Sequence, residues 1–235
     1  MNISMKRVKA IFMKDYKEFS RNMSISIVIL MTPLLSLFYG KTGDNTIDSY
    51  YLIFNMTFVM VATYVQSCLI AEEREKNTLR ALILSPANIQ EILLGKSLFT
   101  FCTTFFTMIL CMILIDYSPA NISIITVAML LSTLFYIALG TLIGLFAKSV
   151  MEASVYSFPA ILIFTIGTFV RLLSEQYPIL KIAHYLPNIQ LVDIALKVEA
   201  GKGFANVLPE LSIILLWFTI AMIVTVIVYK KRMVD

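Results

Sequence analysis

Apolar residues run along the chain in six long blocks, divided by shorter polar pieces. The blocks cover roughly 23–39, 50–71, 97–115, 121–147, 153–170 and 209–229. An α-helix rises about 1.5 Å per residue, so about 17–25 residues cross the hydrocarbon core of a bilayer. All six blocks fit that window, the first being short. The pattern predicts an all-α polytopic membrane protein with six transmembrane helices, read as a single transmembrane domain over 1–235.

The polar pieces carry patterns of their own. In 1–22, Val8, Ile11, Phe12, Tyr16 and Phe19 recur at helical spacing beside six basic residues. This predicts an N-terminal amphipathic helix lying along anionic headgroups or bracing a partner. In 171–208, "HYLPNIQLVDIALKV" places Ile189, Val192 and Ala195 in helical register, interrupted by Asp193 and Lys197. The run is too short and too charged to cross. It reads as a re-entrant or interfacial segment before span six, or as an ordinary amphipathic loop helix.

The third piece is "AEEREKNTLRALILSPAN", within a segment taken as 72–90. Glu72, Glu73, Arg74, Glu75 and Lys76 arrive together, and Leu79, Leu82 and Ile83 follow as a short apolar face. Ser85-Pro86 ends the helix, because the residue before proline avoids the α region. Two turns of helix do not stand alone in water, so the segment needs a surface to dock on. The competing reading is a solvated connector.

Composition strengthens the membrane reading. The chain is 59% hydrophobic and 14% charged, against about 25% charged in a typical soluble domain. Charge distribution sets the orientation. Segments 1–22, 72–96, 148–152 and 230–235 hold fourteen of the nineteen Lys and Arg residues, and the opposite side holds five. The positive-inside rule then makes both termini cytoplasmic, in the cell membrane. Tyr39, Tyr50, Tyr51 and Tyr117 fall at the outer interface on this topology. The charged first 22 residues, with no small-residue cleavage site after them, do not read as a secretory signal. No cytoplasmic segment exceeds about 25 residues, too few to build a core. Whatever powers the protein from inside is therefore another chain.

The apolar cores of the blocks hold no Asp, Glu, Lys, Arg or His, Glu210 lying at the very start of the sixth. Ion-coupled transporters use such groups as relays, so their absence argues against proton or cation coupling and suits an amphipathic cargo. Neutral polar residues do occur: Thr100, Thr103, Thr104 and Thr107 in the third block, Asn55, Thr63 and Gln66 in the second, and Ser154, Ser157, Thr165 and Thr168 in the fifth. Packing and interhelical hydrogen bonding account for most of them. Gly140 and Gly144 have close-packing spacing. Pro33 and Pro159 interrupt the first and fifth blocks as kink candidates. Cys68, Cys102 and Cys111 read as small hydrophobes.

Other chemistry finds no support. Gly95-Lys96-Ser97 resembles the end of a phosphate-binding loop, but position 90 is Gln where that loop needs Gly. His184 is the only histidine, so no metal site or histidine triad is expected. The basic residues flank spans and do not indicate nucleic acid. A passive channel or scaffold lacks the polar rings of a wet pore, and an intramembrane enzyme lacks a catalytic cluster.

"EREKNTLRALILSPANIQEILLGKSLF" resembles the cytoplasmic loop of ABC-2-type transporter permeases. Glu73, Arg74, Glu75, Thr78, Leu79, Leu82, Ser85, Pro86, Leu94, Gly95 and Lys96 match its pattern. Asn77 stands where Gly is usual and Arg80 where an acid is common. The resemblance extends over the whole chain. It implies that Glu72 to Pro86 form a coupling helix seated on a separate ATP-binding subunit. That subunit, not this chain, would hold ATP and Mg. It further implies an exporter working as a dimer with a second copy or paralogue. The first and fifth spans, with Pro33, Ser157, Pro159, Thr165 and Thr168, would line the path. The outer segment would form a membrane-dipping hairpin.

Overall fold

The computed structural model describes residues 4–19, 22–43, 46–76, 89–173 and 178–232, without the side chains at 24, 89–90, 168–173, 178–181, 230 and 232. Every regular element among these residues is helical. An amphipathic helix α1 (Met5–Phe19) comes first. Six long helices follow: α2 (Met23–Thr42), α3 (Ile47–Glu75), α4 (Ile89–Leu114), α5 (Ile122–Phe146), α6 (Val150–Leu173) and, after the shorter α7 (Pro187–Glu199), α8 (Phe204–Arg232). A 3-10 stretch, Pro178–Tyr185, precedes α7. The six long helices are apolar enough to cross a membrane. The chain is an all-α polytopic membrane protein.

Local sequence explains where the helices start and stop. Asn22, Thr46 and Asn121 accept hydrogen bonds from the backbone N–H of Ile25, Ser49 and Ile124, which caps α2, α3 and α5. Gly43 ends α2 in the left-handed region at φ 73°, where glycine has no Cβ to clash. Pro33 inside α2 removes the N–H that would reach the Ile29 carbonyl. The Thr32 hydroxyl donates to that carbonyl instead, at 3.4 Å.

α3 is the axis of the bundle. Its span is 83% buried, against 22% for α2 and α8. Its middle, Phe58–Val65, is π-helical, a form that is rare and concentrates at functional positions. Gly140 and Gly144 of α5 sit against the α3 backbone at Thr63 and Ser67, leaving no room for a Cβ. Thr63 donates to the Tyr136 carbonyl at 3.0 Å. Phe58 stacks on Tyr136 with centroids 5.2 Å apart.

α7 is 13 residues long, about 20 Å at the helical rise and short of a crossing. It inserts among α3, α5, α6 and α8, and Asn188 donates to the Phe164 carbonyl at 2.9 Å. Its buried residues occupy nearly every face, unlike an ordinary amphipathic loop helix. Two of the four tyrosines, Tyr51 and Tyr117, are turned into the protein, while Tyr39 and Tyr50 are half-buried. Tyr51 is fully buried; its hydroxyl lies 3.4 Å from that of Tyr117, which donates to Glu199 at 3.2 Å. These rings join α3 to the α4–α5 turn and the end of α7. A hydropathy pattern does not distinguish a ring facing headgroups from one facing a neighbouring helix.

Candidate functional site

At the bundle end that carries α1, the last turn of α3 meets four other helices. Residues 73, 74 and 75 point about 100° apart around a helix with 3.6 residues per turn, so each reaches a different neighbour. Glu73 turns inward and is 2% exposed. Its Oε1 forms an ion pair with Lys96 Nζ of α4 at 3.0 Å and accepts from Lys14 Nζ of α1 at 2.5 Å. The Arg74 guanidinium donates to the Leu145 and Ala147 carbonyls at 3.1 and 3.2 Å, capping the C-terminus of α5. Glu75 accepts from the Val150 N–H at 2.8 Å, at the N-terminus of α6. Glu72 pairs with Lys76 at 2.5 Å along the helix surface.

α1 is fastened to α4 along its length. Val8, Ile11 and Asp15 form its buried face. Ile11 lies over Gly95, where a Cβ would overlap it. Phe12 and Phe19 pack on Phe99 with centroids 5.8 and 5.3 Å apart. At one end Arg7 pairs with Glu91, donating from Nη2 to Oε1 at 3.0 Å, while Nε lies 2.9 Å from Oε2 as a charge contact. Glu91 also accepts from the Ser4 N–H at 2.6 Å. Nearer the middle Asp15 receives Lys96 at 3.1 Å. Lys96 also donates to the Leu69 carbonyl at 3.3 Å, so with Glu73 this ammonium has three oxygen partners. Lys96 is 1% exposed.

Asp15, Glu18 and Glu73 place carboxylate oxygens within 4.8 Å of one another, a spacing that calls for a cation. Lys14 and Lys96 supply it. Burial pushes the Asp15 carboxyl up from its ordinary value, and Lys96 offsets this only in part. Burial opposes the charge on Lys14, but the hydrogen bond and charge of Glu73 outweigh it and hold that ammonium above the usual lysine range.

A neutral network lies one layer deeper. Gln66 donates to Thr141 at 3.0 Å and accepts from Thr100 at 2.5 Å. Ser157 meets Ser67 at 3.0 Å and is fully buried. Thr103, Thr104 and Thr107 donate to carbonyls of their own helix.

Of the residues singled out in sequence, Glu72, Glu73, Arg74 and Glu75 converge here. Thr78, Leu79, Leu82, Ile83, Ser85 and Pro86 lie outside the described residues, as does the Thr168 side chain. Pro33 is buried in α2, Pro159 is exposed on α6 and Thr165 is half-buried. Pattern reading missed Arg7, Lys14, Asp15, Glu91 and Lys96 as partners of this turn. A signal was present: Asp15 falls seven residues after Val8 and four after Ile11, an acid on the apolar face of an amphipathic helix.

The family model described as ABC-2 family transporter protein matches residues 5–229. The chain belongs to the ABC-2 family. A comparison with curated proteins found no match. As an ABC-2 family member it is a membrane permease of an ABC transporter, a transport subunit of a generally non-catalytic kind that associates with an ABC ATP-binding subunit. The clustered turn therefore sits in a protein whose task is movement.

Proposed function

We propose that the chain is the permease of an ATP-driven exporter. It acts as one transmembrane unit over 1–235, paired with a second copy or paralogue, with both termini in the cytoplasm. ATP and Mg belong to separate ATP-binding subunits below, and the cargo is amphipathic. The observation that carries this reading is Glu73, buried at the point where α1, α3 and α4 meet. Residues 77–88 leave α3 directly after this turn and return at the start of α4. A push on that segment acts on both sides of the Lys96 cluster. Because a buried ion pair resists separation, α1, α3 and α4 respond together, and Arg74 and Glu75 pass the displacement to α5 and α6.

Two further features support the pairing. α2 exposes Ile27, Leu30, Leu34 and Phe38, and α6 exposes Val155, Phe158, Leu162 and Ile166. These apolar faces suit a partner permease and lipid, and the prolines in both helices suit rocking. The test is co-purification of the chain with its ATP-binding subunit and measurement of ATPase turnover and transport. Leu79→Asp with Leu82→Asp should reduce ATPase recovery at least about tenfold, the scale of two lost apolar anchors, with the melting temperature of the permease unchanged. Full recovery and full transport by that variant would overturn the docking reading.

A further inference from the structure

A second site lies at the opposite end of the bundle. α4 and α5, joined by the turn at 115–121, border a cavity of about 490 Å³. This is the size of pockets that take drug-sized molecules. Its walls are apolar and include Met108, Met112 and Met129, side chains that adapt to irregular shapes. From Phe105 to Asp116, both on its lining, the helical rise gives a depth of about 16 Å, half the hydrocarbon thickness. Ile109 and Ile113 on the rim are exposed, so the cavity opens sideways toward lipid.

Its mouth is acidic. Asp116 lines it, is exposed and has φ 52°. Among the described residues it forms no ion pair. Glu199 stands behind Tyr117 and receives only neutral donors there, the Tyr117 hydroxyl at 3.2 Å and the Ala120 N–H at 3.3 Å. Lys197, on the last turn of α7, is turned away to Glu210 at 2.5 Å. One carboxylate, Asp116, thus stands on the lining of a methionine-walled slot, and a second, Glu199, is hydrogen-bonded to the lining residue Tyr117. A phospholipid would bring its phosphate against Asp116.

We propose that this cavity binds a lipophilic cation, with its apolar body among the methionines and its charge beside Asp116. The site is lined by α4, α5 and their turn, with no lining residue from α2 or α6, and rests on the six-span architecture without the ATP-driven reading. The probe is tetraphenylphosphonium, titrated onto the full chain in phosphatidylcholine nanodiscs without nucleotide. One saturable site is expected. Tetraphenylborate, of the same shape and opposite charge, should show none. Asp116→Asn should weaken the cation about tenfold, the scale of one partly screened charge pair. Its melting temperature should hold, because Asn tolerates the left-handed backbone. Ile109→Trp, grown from the exposed rim, should block binding. Equal affinity in Asp116→Asn, equal binding of both ions, no saturable site, or binding seen in detergent and lost in nanodiscs would each overturn the proposal. The last outcome would mean that acyl chains fill the slot.

Discussion

At the end that carries α1, Lys96 is 1% exposed and meets Asp15 and Glu73. At the far end Tyr51 is as deeply buried and meets only another hydroxyl, at 3.4 Å. Both ends tie α3 to its neighbours, but their connections fail differently. A buried charge that loses its partner costs about 3–5 kcal/mol, whereas a neutral hydrogen bond is worth about 1 kcal/mol. The first end therefore moves as a unit or not at all. The second can slip one bond at a time, and it borders an open cavity. A machine driven from one end gains from that asymmetry: stiff where force is applied, compliant where cargo or ligand is met.

The largest effect should come from Lys96→Ala, which takes the ion-pair partner from buried Asp15 and leaves Glu73 beside it with Lys14. A loss of about 3–5 kcal/mol is expected, read as a collapse of thermal stability in detergent. Combining Asp15→Asn, Glu73→Gln and Lys96→Met should recover most of it, since no buried charge is left unpaired. If that triple variant is stable yet no longer stimulates ATPase turnover, the cluster serves transmission as well as folding. Arg74→Gln should come next, at about 2 kcal/mol for hydrogen bonds from a charged donor, measured as a lower melting temperature. Tyr117→Phe, which loses Tyr51 and Glu199 at the far end, should cost about 1 kcal/mol. Equal losses for Lys96→Ala and Tyr117→Phe would erase the contrast between the two ends.

The smallest effect is alkaline. Lys14 is held above its ordinary 10.5 in the folded protein. Its contribution is complete below 10.5 and disappears as pH rises through the raised value. The melting-temperature gap between the native chain and Lys14→Met should stay constant up to 10.5 and close beyond it. Partial exposure of Lys14 keeps this gap small.

The six spans were legible because apolar length is a one-dimensional property. Their ends were not. The third block was read from 97, yet α4 begins at Ile89, because Glu91 and Lys96 looked like water-facing residues. Both are buried by partners on α1, which lie more than eighty positions away along the chain. The same cause applies to Glu73 and Arg74. Their partners on α1, α4 and the end of α5 lie far along the chain, where local pattern does not reach. Tyr51 and Tyr117 show the converse: amphipathic rings read as interface markers became interior connectors. Local spacing tells which residues share a face, but only tertiary pairing tells what that face meets.

The π-helical stretch at Phe58–Val65 has a last consequence. Such a stretch holds extra residue in its turns, so everything after it is rotated relative to an uninterrupted α-helix. The aim of Glu73, Arg74 and Glu75 depends on that offset. Deleting one residue from the stretch would change the phase of all three while leaving the composition of the span nearly untouched. The phase of this helix is thus set upstream of the groups that use it, and a change of winding there would re-aim the whole contact set in one step.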